Sequence, residues 1–246
     1  MESQNRAVVY LDLLGFAALI EASPLHSITE PFDNPQRQTW PTNRAAERLQ
    51  RFHDVLESRI SLEQPNHAMV FSDCAFGVFY TPTACADFAV SLMRGFLQAK
   101  VPVRMGLGFG TFSSLGTTSA IRDRSTVVRA MFAGTSIVRA VAAEACGGKG
   151  MRIFVDRSFS DVFEQIPVSA QHQKRLSFST QHKSVSCELD YVSDADPENI
   201  NEWVASVKTM AGVAPPQVQD HYSDTLAALS RMLGYDVEDT RDLSEE

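Results

Sequence analysis

The chain has 246 residues, 44% of them apolar, enough for one domain with appendages and a real core. Its formal net charge of −8 at pH 7 argues against partners that need a broadly positive surface, such as duplex nucleic acid or an anionic membrane. The four cysteines, Cys74, Cys85, Cys146 and Cys187, form no C-x-x-C, which makes a zinc site a poor reading and suits a reducing compartment.

The start, MESQNRAVVYLDLL, lacks the ordered regions of a signal peptide, and no apolar run approaches the span of a bilayer, so the expected location is cytoplasmic. Ala7 to Leu14 is a short β-branched apolar run and predicts a buried strand that Gly15 ends. A helix is expected to begin at Phe16. Residues 23–43 hold four prolines and no sustained period, and read as a loop or lid. Ala45, Leu49, Phe52, Leu56 and Ile60 then recur at helical spacing.

HAMVF and CAFGVFY, separated by Ser72 and Asp73, predict a hairpin, and residues 83–99 a helix. In the strand that follows, Val101, Val103, Met105, Leu107 and Phe109 point one way, and Arg104, Gly106, Gly108 and Gly110 the other. Residues 111–129 carry Gly, Ser, Thr and three arginines, and predict a mobile excursion. MFAGTSIVRAVAAEACGGKG predicts strand, turn and helix with Thr135 or Ser136 as N-cap, and MRIFVD another strand. Further on, a late hairpin is expected from RLSFST and SVSCELDYVS. Two more helices are marked by Ile200, Trp203, Val204 and Val207, and by Tyr222, Leu226, Leu229 and Leu233.

The order β-α-β-β-α-β-α-β predicts an α+β, ferredoxin-like domain whose antiparallel sheet carries helices on one face. Residues 1–156 are expected to form its core, with 23–43 as an insertion. Residues 157–246 read as an extension packed on the same domain, ending in an acidic tail over 237–246.

Asp12 sits inside an otherwise apolar strand, where a carboxylate is costly unless paired, hydrogen-bonded or bound to metal. Taken alone, it reads as a strand-end Asp accepting from the following turn, and Asp73 as an ordinary turn residue. Together they carry more: in a ferredoxin-like sheet the first strand lies beside the hairpin, so the two carboxylates converge. Two hard oxygen donors without His or Cys suit Mg2+ or Mn2+ and phosphate chemistry. Gly15 and Phe16 make a tight turn whose backbone N–H groups offer an anion site beside Asp12. Arg104 is open to two readings: an ion pair with a carboxylate, or a phosphate contact beside glycines that admit a helix or ligand. Arg139 lies in the first turns of its helix, and Arg122, Arg124 and Arg129 cluster in the excursion. Ser72 and His67 find no acid for a triad, and no G-x-S-x-G occurs.

YLDLLGF, MVFSDCAFG, VRMGLGFG and FAGTSIVRAVAAE, over roughly residues 7–156, resemble the catalytic domain of class III nucleotide cyclases. The resemblance implies that Asp12 and Asp73, with the main-chain carbonyl of Leu13, bind two metal ions, and that Gly15 and Phe16 cradle the phosphates. It also implies a head-to-tail homodimer with each site between protomers. The chain departs from the purine cyclases, which read their base at positions falling near Ala68 and Met131, and whose N-x-x-x-R is replaced here by Val138 and Ala142. With Arg104 and Gly106 as R-x-G, and Ala140 and Glu144 as A-x-x-x-E, it is similar to the pyrimidine cyclases of bacterial Pycsar antiphage systems.

That likeness implies synthesis of cyclic UMP or cyclic CMP, with UTP favoured, as a signal to a separate effector. Asn66 and His67 are candidate base readers by position. Arg104, and with it Arg139, would stabilise transition-state charge. The competing readings are a purine cyclase, and an inactive cyclase-like module that binds nucleotide or only dimerises. A diguanylate cyclase would want G-G-[DE]-E-F where FSDCAF stands.

Overall fold

Alternation along the first strand, β1 (Gln4–Leu13), sets the two faces of the sheet. Ala7, Val9, Leu11 and Leu13 turn to the larger core, while Val8 and Tyr10 belong to a smaller cluster on the opposite face, with Asp12 in step with them. The computed structural model describes residues 4–22, 43–122, 125–163, 175–177 and 184–234. The proposed lid, apart from its last residue Asn43, and the acidic tail lie outside them, as does Arg124.

β1 lies antiparallel between β3 (Cys74–Phe79) and β4 (Val103–Arg122). β2 (His67–Val70) completes the predicted hairpin with β3. On the other side β4 pairs in parallel with β6 (Ile153–Asp156), which leads to β8 (Val185–Leu189) and β7 (Arg175–Ser177), the predicted late hairpin. The sheet therefore runs β2-β3-β1-β4-β6-β8-β7.

The expected excursion at 111–129 is instead a paired ribbon. β4 continues to Arg122 and returns as β5 (Ser125–Ala133), paired from Ser113 opposite Ala133 to Arg122 opposite Ser125 with one register shift between Ser114 and Gly116. The segment lacks an alternating apolar face, but β-branched Thr117, Thr118, Thr126, Val127 and Val128 suit a two-stranded arm held by its own ladder. Arg122 and Arg129 lie on its strands.

The helices are α1 (Phe16–Ala22), α2 (Arg44–Glu63), α3 (Pro82–Ala99), α4 (Thr135–Glu144), α5 (Arg157–Phe163), α6 (Pro197–Gly212) and α7 (Gln219–Leu233). The starts of α2 and α6 are chemically marked. Asn43 Oδ1 accepts from Ala46 N, and Asp196 Oδ1 accepts from Glu198 N ahead of Pro197. Leu19, Phe52, Phe88, Phe96, Phe159, Trp203, Val207, Tyr222 and Leu229 pack into one core with the inner residues of β1 and β4. Trp203 and Tyr222 bring the last third of the chain into that core. Among the described helices, none is long and apolar enough to cross a membrane.

α4 departs from the expected one-sided arrangement. Its Ile137 and Ala140 pack with Val8, Val78 and Phe112 on the second face. The glycines of β4 make this approach feasible: a Cβ on Gly106 would lie 2.1 Å from the Ala140 carbonyl oxygen, and one on Gly108 2.5 Å from Ala140 N. The N-cap of α4 is Gly134, with no side-chain cap bond. The hydroxyls expected to cap it bind β4 instead: Thr135 Oγ1 accepts from Thr111 N at 3.0 Å, and Ser136 Oγ donates to Thr111 O at 3.0 Å.

Candidate functional site

Asp12 is half-buried near the end of β1, opposite Cys74 on β3 and Arg104 on β4. One residue further, Leu13 N donates to Asp73 O at 2.8 Å, and Leu14 N to Pro102 O at 2.9 Å. The β2–β3 turn is thereby pinned to the end of β1, and Asp73 is close enough for its charge to act on Asp12. Gly15 follows at φ +68°, a left-handed turn suited to glycine, and a Cβ there would lie 2.8 Å from Val218 Cγ1. Phe16 is buried at the start of α1.

Negative charge accumulates at this end of the sheet. Burial pushes Asp12 up to about 6, helped by Glu144 and Asp73 and opposed by Arg104. Burial also raises Glu144 at the end of α4, against the pull of Arg104. The Cys74 thiol and the Tyr10 phenol are both shifted up, chiefly by burial, and so stay protonated at neutral pH. Carboxylates crowded beside neutral neighbours favour a cation between them. The donor set, hard oxygens from Asp12 and Asp73, fits Mg2+ or Mn2+, which usually complete their shell with water and substrate phosphate. Among the described residues, no group of three or more His, Cys, Asp or Glu gathers into an all-protein cage.

Arg104 is engaged with α4 and the loop after it. Its Nε and Nη2 each lie 2.6 Å from Glu144 Oε1, and its Nη1 donates to Gly148 O at 2.8 Å. Of the two readings raised from the sequence, the ion pair with a carboxylate is the one seen here, and that carboxylate comes from the helix that the glycines admit. Arg139 is not brought to Asp12 within the protomer. Its Nη1 donates to Phe109 O at 2.7 Å, and it borders a groove of about 460 Å³ with Val138, Ala142 and Arg157.

The face that carries Asp12 also carries an aromatic trough. Tyr10 and Phe76 have ring centroids 4.9 Å apart, Phe76 and Phe132 5.7 Å, and Met69 packs with them. Pairing places Met69 opposite Phe76, whereas Ala68 sits opposite Gly77, whose Cβ would meet Val9 and Phe88 of the main core. The position read at Ala68 therefore belongs to the other face, and Met69 is the β2 side chain beside the trough. His67 lies against Phe112, 5.5 Å between centroids, and Met131 is exposed near the base of the arm.

Sequence reasoning missed the supports. His53 Nε2 lies 2.9 Å from Ser72 O, in the turn that carries Asp73. Thr225 Oγ1 accepts from Met151 N at 2.9 Å, His221 Nδ1 from Gly150 N at 3.3 Å, and Lys149 pairs with Asp220. These bonds hold α7 to the loop that anchors Arg104. No motif announces them, since most of the partners are backbone groups distant in sequence.

No protein-family model matches the chain, and no curated protein matches it either. Solved structures do. The guanylate cyclase domain of RhGC from Catenaria anguillulae, in complex with GTP, is similar at TM-score 0.51 and 13% identity, over 77% of this chain and 97% of that one. A bacterial light-regulated adenylyl cyclase is similar at TM-score 0.52 and 12% identity, over 85% of this chain; the match spans 59% of that longer chain. The catalytic core of a rhodopsin-guanylyl cyclase with converted specificity, in complex with ATPalphaS, is similar at TM-score 0.50 and 12% identity, over 77% and 95%. The fold is the mixed α+β fold of class III nucleotide cyclase catalytic domains.

Proposed function

We propose that this chain is a nucleotide cyclase that converts a pyrimidine triphosphate, UTP in preference to CTP, to the 3′,5′-cyclic nucleotide and pyrophosphate. The observation that carries the reading is the junction of Asp12 and Asp73, tied by the Leu13 N to Asp73 O bond at one end of a cyclase fold. The raised pKa of Asp12, due first to burial and then to the charges of Glu144 and Asp73, supports it, because a buried carboxylate among other carboxylates gains from a cation.

In the reaction the ribose 3′-oxygen attacks the α-phosphorus in line and pyrophosphate departs. Asp12 and Asp73 would hold the ions, two Mn2+ or Mg2+ per site. Divalent ions there would acidify the 3′-hydroxyl and neutralise the phosphates. Gly15 and Phe16 would face the β- and γ-phosphates with backbone N–H groups. Arg104 would act from beside Asp12, and its present contacts make Glu144 the group that sets its position. Arg139, turned away from Asp12, would serve the partner's site in a head-to-tail homodimer. Met69, packed beside Phe76, is apolar and offers no hydrogen bond to a purine edge. With the R-x-G and A-x-x-x-E positions, this favours a pyrimidine messenger read by a separate effector, as in antiphage signalling.

A purine cyclase is the second reading, favoured by the GTP and ATPalphaS in the similar structures. The deciding experiment incubates the protein with Mn2+ and each of the four triphosphates separately, then identifies products by mass. Cyclic UMP or CMP is expected. Cyclic AMP or GMP alone would replace the pyrimidine reading with the purine one, and no product from any triphosphate would favour an inactive nucleotide-binding module. Asp12→Ala and Asp73→Ala should each abolish product while keeping the fold.

A further inference from the structure

We infer that His53 is a positioning residue for the candidate metal site, holding from α2 the turn that presents Asp73. The inference rests on the cyclase reading for the role of Asp73. Three consecutive carbonyls of this turn each accept a hydrogen bond from a different source. Ser72 O accepts from His53 Nε2 at 2.9 Å, Asp73 O from Leu13 N at 2.8 Å, and Cys74 O from Phe71 N at 2.8 Å. The first of these donors is a side chain, and the other two are main-chain groups, one on β1 and one just past the end of β2.

A carbonyl oxygen only accepts, so Nε2 of His53 carries the proton. The bond joins residues 19 apart in sequence and adds a tie from α2 to a turn that Leu13 N already ties to β1. The anchor for α2 is firm: its Phe52 is fully buried and stacks on Phe96 of α3, 5.5 Å between centroids. His53 follows Phe52 directly and meets its ring edge-on at 5.6 Å. The imidazole therefore transmits the position of the main core to the carbonyl immediately before Asp73. Such a residue need not touch metal or substrate to set the direction of the carboxylate that would.

A packing role makes a different prediction, since a ring of similar size would replace the imidazole without loss. The test is direct Mn2+ binding, read from the electron paramagnetic resonance of free ion, in the wild type, Asp73→Ala, His53→Ala, His53→Phe and His53→Gln. Thermal unfolding of each variant accompanies it. Removing a supporting hydrogen bond to a metal site weakens binding roughly 10-fold or more, and that loss is expected for both Ala and Phe. Gln, whose Nε2 can still donate, should recover most of the wild-type affinity. Binding by His53→Phe equal to wild type would overturn the inference while leaving the metal assignment intact. A wild-type protein that binds no Mn2+ would overturn both. If His53→Ala fails to fold, the contrast between Phe and Gln decides.

Discussion

Arg104 and Glu144 meet across the β4–α4 interface, with two guanidinium nitrogens at 2.6 Å from one carboxylate oxygen. Their side chains are 17% and 7% exposed, so this is a largely desolvated pair. Arg104→Ala leaves Glu144 buried without its partner, which costs about 3 kcal/mol, the low end for breaking a buried pair from one side. The double variant Arg104→Met with Glu144→Leu should regain most of that stability in urea unfolding, while cyclisation stays lost. Full activity in a folded double variant would reduce the pair to a packing element.

The pH dependence has a definite sign. Asp12 titrates near 6 in the folded protein against an ordinary 3.8. Between those values the folded state keeps a proton that the unfolded chain has released. Metal-free stability should therefore be fullest below the lower value and fall as pH rises through the window. Asp12→Asn should flatten this slope, leaving the part due to Glu144, which is shifted in the same direction. Urea midpoints at pH 4 to 7 in chelator check it, and added Mn2+ should reverse the decline in the wild type alone.

Gly106 and Gly212 form a matched pair of tests. A methyl at Gly106 collides with the α4 backbone, and Gly106→Ala should cost about 3 kcal/mol, the upper end for overpacking. Nothing lies within 4 Å of a Cβ on Gly212, at the end of α6. There Ala should stabilise by roughly 0.5 kcal/mol through helix propensity. Equal effects in thermal unfolding would contradict the close seating of α4.

Thr225→Val keeps the shape of the side chain and removes the oxygen that accepts from Met151 N. The buried donor left behind should cost about 1–3 kcal/mol. Turnover should fall further than stability explains, because the loop over residues 148–151 also supplies the carbonyl that holds Arg104. Turnover that merely tracks the folded fraction would show that α7 has no hold on the site.

Much of this architecture was written in side-chain periodicity. The alternation of β1 and β4 separates their two faces, and the period of α2 and α3 marks the helices that cover the larger core. Asp12 was conspicuous as a carboxylate in an apolar strand. Its meeting with Asp73 needed only that the first strand lie beside the hairpin. The second face was harder. Gly106 and Gly108 allow a helix or a ligand to approach, and only the packed α4 distinguishes them. The β4–β5 arm carries no periodic apolar pattern in its sequence, so its segment read as a loop. His53 and Thr225 carry no motif at all, because each answers a backbone group that only the tertiary fold brings near.

The clasp of α7 also bears on synthesis. Every group assigned to metal and phosphate is translated by residue 139, yet Val218 fills the space beneath Gly15 and Thr225 secures Met151. A chain cut short between those points would carry all of these side chains but lack the contacts that seat Gly15 and Met151.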